Sequence, residues 1–403
     1  MEFEITYTSE QEAFRKEVRG WLKENVPAGI KEAPGEDPPE IWEAKRELGR
    51  RLGTKGWLWP IMPKQYGGGG LTGDHAIIIE EELDALGITA RDYGDAGGGT
   101  GAPSILVWGT EEQKQAFLKP MLTGEWASWQ LLTEPEVGSD LASVKSLAIR
   151  DGDDWVLNGH KTFISGGRKV ESFWTIFMTD PKAPRHENVS WFVVPAASPG
   201  ITIMPLDLMG GQGNGHQSSV FFDNVRVPSF NLVGGENKGW KVATTHLEME
   251  HGGGGTVRKN RFEERIFEYT KTAKQDGQPI SKDKDSRDLL MEMHIDAEIN
   301  RLLGLSNFWL VNAKKPRSYG GSQSSLIRKM SGLRLTNTIG RLLGYSALVS
   351  DDPRGAADGY AEAQQRQGII SVHPAGTPEV QKLIIARRIG IGRTTREEAG
   401  RLE

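Results

Sequence analysis

Histidine and carboxylate side chains are concentrated between positions 246 and 251, where the sequence reads His-Leu-Glu-Met-Glu-His. His246 and Glu250 are four residues apart and would share one face of a helix, where imidazole and carboxylate groups can ligate a metal ion. No second cluster in the sequence supplies the remaining ligands, so we predict no metal site. Glu248 and Glu250 are two residues apart and point to different sides of a helix, so only one of them can act as a base toward a given ligand.

Two polar segments lie in the first half of the chain. Residues 133–140 read Thr-Glu-Pro-Glu-Val-Gly-Ser-Asp, and about twenty residues later 158–167 reads Asn-Gly-His-Lys-Thr-Phe-Ile-Ser-Gly-Gly. By themselves these segments predict a turn and a strand. The chain has no cysteine, which excludes disulfides, thiolate nucleophiles and iron–sulfur clusters. Any redox chemistry therefore requires a bound cofactor.

The overall composition narrows the function classes further. The chain has 403 residues, 26% of them charged and 37% hydrophobic, which predicts a globular protein of two or three domains. The net charge is −5 and there is no long basic run, so nucleic acid is not an expected partner. No apolar run reaches the roughly 18 residues of a membrane span, and the first residues lack the pattern of a signal peptide. We therefore expect a cytoplasmic protein that does not bind membranes.

The spacing of apolar residues divides the chain into helical, β and helical parts. Helical spacing predicts an N-terminal α-helical domain over residues 1–125. From 126 to 233 the period is two, in short runs separated by turns, which predicts a β-sandwich or barrel domain; one of these runs begins at Val144. Helical spacing returns over residues 234–403 and predicts a C-terminal helical domain. Its predicted helices are 241–250, 258–274, 286–312, 324–343 and 378 to about 389. The predicted fold class is therefore α+β, with several domains.

One helix start in the first part has a specific signal. Thr110-Glu-Glu-Gln has the form of a capping box, with Thr110 as N-cap and Gln113 at the third helical position. This predicts a helix that buries Phe117 and neighbouring apolar residues and stops near Gly124.

Several segments, in order along the chain, resemble the acyl-CoA dehydrogenase family. They are Tyr66-Gly-Gly-Gly, Gly109-Thr-Glu-Glu-Gln-Lys, residues 133–140, residues 158–167, Val225-Arg-Val-Pro, Gly234-Gly-Glu-Asn-Lys-Gly-Trp and Gly376-Thr-Pro-Glu-Val-Gln-Lys-Leu-Ile-Ile-Ala-Arg. The resemblance covers essentially the whole chain. It implies an N-terminal helical domain, a middle β domain and a C-terminal four-helix-bundle domain, in agreement with the apolar periodicity. It also implies FAD-dependent α,β-dehydrogenation of an acyl-CoA to the trans-2-enoyl-CoA, as in fatty acid and lipid β-oxidation.

The resemblance also implies which residues bind the flavin. Phe163 and Ser165 stand where relatives carry Trp and Thr, so the flat aromatic cover and the hydroxyl are both kept. Ser139 is placed at the cofactor and also at the pantetheine arm of the substrate. The full set of implied FAD contacts is Gln130, Leu132, Thr133, Ser139, Phe163, Ile164, Ser165, Thr377 and Glu379.

The base of the reaction is implied at one of two alternative family positions. Many relatives carry a Glu-Gly-Thr motif before the last helix, but this chain reads Ala375-Gly-Thr, so that carboxylate is absent. Other relatives carry the carboxylate on an earlier helix, at the position of Glu250. Glu250 is therefore the predicted catalytic base, with Glu248 as the alternative. An α proton beside a thioester is far less acidic than a carboxylic acid, so the site must desolvate the base and hydrogen-bond the thioester oxygen.

The residues implied to contact the substrate are Ser139, Glu248, His251 and Gly376. The backbone N–H of residue 375, which relatives use as an oxyanion donor, is kept with alanine. His251 stands where relatives often carry Arg. The glycines at 252–255 each cost a helix roughly 1 kcal/mol, and the space they leave predicts a bulky acyl group that is branched, cyclic or steroid-like.

Two departures from the family concern the cofactor. Ala273 stands where many relatives carry an Arg for the flavin pyrophosphate of a neighbouring subunit, and Arg341-Leu-Leu-Gly replaces a Gln-rich adenine-binding turn. Two alternatives stay open: a non-catalytic or half-site subunit of a heteromeric enzyme, which Ala273 and Ala375 support, and an oxidase or monooxygenase on the same fold. The implied partners are an acyl-CoA substrate, an electron-transfer flavoprotein as acceptor, and other subunits in a dimer or tetramer of this chain or in a heteromer with a related chain.

Overall fold

The structure, a computed structural model, describes residues 7–30, 37–91, 93, 95, 97–209, 217–250, 261–313, 315–316, 318–350, 352 and 354–391. The chain forms two compact units, residues 1–249 and 250–403. Among the described residues, no helix combines the length and the apolar character needed to cross a membrane.

The first part of the first unit is helical, as its apolar spacing predicts. Each long helix buries one stripe: Val18 and Leu22 lie inside on the first helix, and Leu48 and Leu52 on the second. The helices are α1 Ser9–Asn25, α2 Pro39–Thr54, α3 Gly73–Ala85, α4 Gly98–Trp108, α5 Glu111–Gln113 and α6 Lys119–Leu122.

The helix start at Thr110 is confirmed. The Thr110 side chain accepts a hydrogen bond from the Gln113 N–H, and the Gln113 side chain accepts one from the Thr110 N–H, so both arms of the capping box are present. A π-helical stretch, Lys114–Leu118, joins α5 to α6 and buries Phe117. Gly124 follows with φ 78°, a left-handed conformation that ends the helix.

The rest of the first unit is built on one mixed sheet of eight strands, followed by helix α7 Gly239–Glu248. The strands are β1 Ser128–Leu131, β2 Leu147–Asp151, β3 Asp154–Ser165, β4 Ser172–Met178, β5 Val189–Pro195, β6 Ile201–Leu206, β7 Gln217–Pro228 and β8 Leu232–Val233. Their order in the sheet is β6-β7-β3-β2-β4-β5-β8, and β1 pairs in parallel with β4.

Strand β4 separates two hydrophobic cores. Phe173 and Phe177 pack in a cluster formed by the sheet itself, whereas Trp174 and Ile176 pack with residues of the helices. The alternation follows from the two-residue period of a strand. Helices therefore cover one face of this strand, and aromatic and aliphatic side chains of the other strands cover the opposite face.

The prediction that a strand begins at Val144 is wrong. Residues 141–143 form a 3₁₀ turn and β2 begins only at Leu147. The backbone N–H groups of Lys145 and Ser146 both donate to the Glu134 carboxylate, at 2.7 and 3.0 Å. Because these donors are already used, they are not available for a strand ladder.

The second unit is helical around α10. The helices α9, α11 and α12 all contact α10, and a core that includes Phe262, Ile266, Ile339 and Leu342 fills the unit. The sequence analysis predicted no helix at α11, whose sequence is mostly polar and small residues. The elements are α8 Arg261–Thr272, β9 Lys274–Gln275, β10 Gln278–Pro279, α9 Lys284–Asn312, α10 Gly320–Leu343, α11 Tyr360–Ile370 and α12 Pro378–Arg388.

Candidate active site

Two of the segments predicted to bind flavin lie side by side in the first unit. The Thr162 N–H donates to the Thr133 carbonyl at 2.9 Å, just beyond the end of β1. Strand β3 breaks its register with β7 between Lys161 and Ile164, which forms a bulge. The end of β1 and the bulge of β3 therefore lie side by side within the sheet, and we call this place the β1–β3 junction.

Phe163 lies at the bulge in an unusual conformation. Its φ is 56°, in the left-handed region that aromatic residues rarely adopt, and 55% of it is exposed. The next residue, Ile164, is only 2% exposed, and its side chain belongs to the sheet core. Ser165 is exposed, and its Oγ accepts a hydrogen bond from Gln217 Nε2 at 3.3 Å. An outward-facing aromatic ring near a hydroxyl fits a planar heterocycle such as a flavin.

A buried ion pair, which the sequence analysis did not identify, stabilises the β1–β3 junction. Lys161 Nζ lies 2.7 Å from Glu134 Oε1, and both side chains are buried. Burial lowers the pKa of Lys161 to about 8, against the effect of the nearby carboxylate. Burial also opposes ionisation of Glu134, but the Lys161 ammonium and the hydrogen bonds hold the pKa of that carboxyl below its usual value. The pair ties the turn after β1 to the strand that carries Phe163.

The other residues of the first unit predicted to bind cofactor or substrate differ in their surroundings. Gln130 Oε1 accepts a hydrogen bond from the Thr100 hydroxyl at 3.0 Å, which ties β1 to α4. Leu132 is partly buried, and its carbonyl lies 3.5 Å from Lys161 Nζ. Ser139 is exposed on the loop after β1.

His246 has a structural role on α7. Its ring is fully buried, its Nδ1 accepts a hydrogen bond from Trp174 Nε1 at 3.0 Å, and its centroid is 4.8 Å from that of Trp191. The ring therefore anchors α7 to the sheet through Trp174 and Trp191. Glu248, two residues later, is exposed at the end of α7.

Glu250 is the first residue of the second unit and is partly buried. Its carboxylate interacts electrostatically with Lys329 on α10 and favours the charged form of that lysine. Burial has the larger effect and lowers the pKa of Lys329 to about 8. His251 and the glycines at 252–255 lie outside the described residues.

The Ala375-Gly376-Thr377 segment forms a tight turn before α12. Ala375 and Gly376 have φ values of 52° and 73°, so two consecutive residues are left-handed. Gln381 Nε2 donates to the Ala375 carbonyl at 2.9 Å, and Thr377 caps α12 by accepting from the Val380 N–H. Glu379 is exposed in the first turn of the helix.

The two family departures lie in different helical regions of the second unit, after α8 and at the end of α10. Ala273 follows α8 and packs against the core, and its carbonyl accepts from the Ile280 N–H at 2.9 Å. Arg341 is exposed in the last turn of α10, while Leu342 and Leu343 beside it are buried.

Three family models match the chain in consecutive segments, and together they define its class. They are "Acyl-CoA dehydrogenase, N-terminal domain" over residues 8–125, "Acyl-CoA dehydrogenase, middle domain" over 130–225 and "Acyl-CoA dehydrogenase, C-terminal domain" over 237–390. The order agrees with the helical, β and helical parts of the fold.

Individual relatives match nearly the full length of this chain. Acyl-CoA dehydrogenase FadE26 of Mycobacterium tuberculosis is 30% identical over 97% of this chain and 100% of its own length. The solved "Tcur3481-Tcur3483 steroid ACAD" superposes with a TM-score of 0.81 at 27% identity, covering 97% of this chain and 100% of that one. The ChsE4-ChsE5 complex from Mycobacterium tuberculosis superposes with a TM-score of 0.78 at 27% identity, covering 97% and 100%.

The chain therefore belongs to the acyl-CoA dehydrogenase family. It is an oxidoreductase of the acyl-CoA dehydrogenase type, and membership of this family implies a flavin cofactor.

Proposed function

We propose that this chain catalyses FAD-dependent α,β-dehydrogenation of an acyl-CoA to the trans-2-enoyl-CoA, with Glu250 as the base. The observation that carries the proposal is the β1–β3 junction, where Phe163, held in a left-handed conformation, is exposed next to Thr133 and Ser165. A strained, exposed aromatic residue costs free energy and is retained where a ligand uses it. Family membership makes a flavin the expected ligand.

Of the implied FAD contacts, Thr133, Phe163 and Ser165 lie at this junction, and Thr377 and Glu379 are proposed for the diphosphate and ribose side. When bound, FAD supplies an acceptor for the β hydrogen, which leaves the substrate as hydride. The hydroxyls of Thr133 and Ser165 are suited to hydrogen-bond the polar rim of the ring, and Phe163 is suited to cover its face.

Glu250 is proposed to remove the α proton of the thioester. It is partly buried, and Ala375 leaves no competing carboxylate at the other family position. The backbone N–H of Ala375 is proposed to donate to the thioester oxygen and so stabilise the negative charge that develops there.

A bulky acyl group is proposed as the substrate, branched, cyclic or steroid-like. The glycines that follow His251 in the sequence remove side chains next to the proposed base. A solved relative of similar length acts as a steroid ACAD by its name. A panel of acyl-CoAs tests this: steroid-like or branched thioesters should give the highest kcat/KM, and a sharp preference for short linear ones would exclude it.

The first experiment is a visible absorption spectrum of the purified chain, with identification of any released cofactor. We expect one FAD per chain. Glu250→Gln should keep the flavin spectrum and lower turnover by roughly 10²–10⁴-fold, because the α proton loses its acceptor. Glu268→Gln, an exposed carboxylate on α8, is the matched control. Full activity of Glu250→Gln together with loss of activity in Glu248→Gln would move the base to Glu248.

The alternative is a half-site subunit that needs a related chain to bind FAD. Ala273, in place of the family's phosphate-binding Arg, and the heteromeric ChsE4-ChsE5 complex among the solved relatives favour it. A colourless protein that gains FAD on mixing with a related subunit would support this alternative. For the complete enzyme, an electron-transfer flavoprotein is proposed as acceptor; fast reaction of the reduced enzyme with oxygen would favour an oxidase instead.

A further inference from the structure

Lys329, in the middle of α10, carries a buried ammonium group. The residue is only 4% exposed, and its Nζ donates to the carbonyl oxygens of Ser371 and Pro374 at 3.0 and 2.5 Å. Burying a charge is costly unless hydrogen bonds and an opposite charge compensate for it. The two carbonyls supply the hydrogen bonds, and neither carries a formal charge.

The opposite charge comes from Glu250. Among the described residues, Arg328, its neighbour on α10, repels the Lys329 ammonium, and Glu250 attracts it. Lys329 is therefore hydrogen-bonded to the backbone between α11 and α12 and feels the field of the proposed base.

That segment leads directly into the turn that carries the proposed oxyanion donor. Pro374 precedes Ala375 and Gly376, whose left-handed backbone is held from the other side by Gln381, a fully buried residue of α12. Lys329 and Gln381 thus clamp consecutive carbonyls of one turn, at Pro374 and Ala375. Such a clamp fixes the direction of the Ala375 N–H.

We propose that Lys329 is a positioning residue of the dehydrogenation site, whose ammonium group holds the peptide that carries the Ala375 N–H. The inference rests on the proposed roles of Glu250 and of the Ala375 N–H. Lys329 does not itself need to touch the substrate. A neutral side chain at this position would free the turn and remove the charge that balances the base.

The test compares Lys329→Met, which removes both donor and charge, with Lys329→Arg, which keeps both. Lys284→Met, an exposed lysine at the start of α9, is the matched control. In Lys329→Met we expect amide hydrogen exchange of the peptide 371–377 to become about tenfold faster. In the flavin-loaded enzyme kcat should fall about tenfold or more, with KM changed by less than about threefold. Lys329→Arg should recover much of both losses.

Unchanged exchange in 371–377, or faster exchange with kcat within about twofold of wild type, would overturn the positioning role. Should Lys329→Met fail to fold, Lys329→Leu carries the same test, since it also removes both the donors and the charge. Failure of the proposed function gives a different result, because Glu250→Gln then retains turnover. The hydrogen exchange of 371–377 in Lys329→Met still shows whether Lys329 holds the turn.

Discussion

Asp95 is a residue whose ionised carboxylate destabilises the folded state. It lies between α4 and β1, where one carboxylate oxygen accepts from the N–H groups of Gly98 and Ser128 at 3.0 Å each. Among the described residues, its other oxygen is buried and has no hydrogen-bond partner. Burial raises the pKa of Asp95 from 3.8 to about 6, although both N–H donors act in the opposite direction. Phe163 also lowers the stability of the folded state, because its left-handed backbone conformation is unfavourable for an aromatic residue.

The pH dependence of stability follows from the Asp95 pKa. Between about pH 4 and pH 6 the native state holds a proton that the unfolded chain has released, so the free energy of unfolding falls as pH rises through this window and levels off above it. The expected contribution is about 3 kcal/mol, at 1.36 kcal/mol for each pH unit between the two pKa values. Urea unfolding of wild type and Asp95→Asn from pH 4 to pH 7 measures it.

Asp95→Asn should lack this part of the slope, because an amide does not titrate. The difference in unfolding free energy between variant and wild type should therefore move in favour of the variant as pH rises. Parallel pH profiles for the two proteins would show that Asp95 is not the group responsible.

At the scale of elements, the Glu134–Lys161 pair joins the turn after β1 to β3. The pair is buried, and Glu134 also holds the backbone of the segment before β2. Removing one partner leaves a buried charge, so Glu134→Gln and Lys161→Met should each lower the free energy of unfolding by about 3–5 kcal/mol. The double variant should lose less than the sum of the two, as measured by urea unfolding with tryptophan fluorescence.

An exposed pair on the same segment provides the control. Glu136 and Lys145 form an ion pair with both side chains about two-thirds exposed. Glu136→Gln should change stability by less than about 1 kcal/mol, because solvent screens such pairs. Equal losses in Glu134→Gln and Glu136→Gln would contradict a special role for the buried pair. Additive losses in the double variant would show that Glu134 and Lys161 act independently.

At the scale of the whole molecule, α9 shows a surface suited to assembly. A stripe of apolar side chains along this helix is exposed in the single chain: Met291, Ile295, Ile299, Leu302 and Trp309. Their spacing places them on one side of the helix, and contiguous exposed apolar surface of this kind marks protein interfaces. The assembly with other subunits that the sequence predicts would remove such a stripe from water.

Charged substitutions in this stripe should disrupt assembly. Ile295→Glu combined with Leu302→Glu places two charges in an apolar interface, so the molar mass from size-exclusion chromatography with light scattering should fall toward that of one chain, 44.4 kDa. Lys271→Glu, which changes an exposed charge on α8, should leave the mass unchanged. A wild-type mass retained by the double variant would place the interface elsewhere.

Much of the architecture could be predicted because it depends on local patterns. The change of apolar period marked the helical and β parts, and the capping box at Thr110 has both its hydrogen bonds. The family motifs pointed to 133–140 and 158–167, which contact each other at the β1–β3 junction. The start of β2 was missed because Glu134, distant in sequence, takes the N–H groups of Lys145 and Ser146. Helix α11 was missed because its composition carries little apolar pattern.

The sequence by itself determined the family, the order of the parts and the types of residue available at the site, since these depend on composition, spacing and motif. The tertiary structure alone decided which polar groups became partners. His246, which the sequence offers as a metal ligand, accepts a hydrogen bond from Trp174, and Lys161 forms an ion pair with Glu134 in the sheet. Lys329 reached the carbonyl of Pro374, 45 positions away. Burial and pairing arise only when distant segments pack together, and they set both the charges and the conformations on which the proposed chemistry depends.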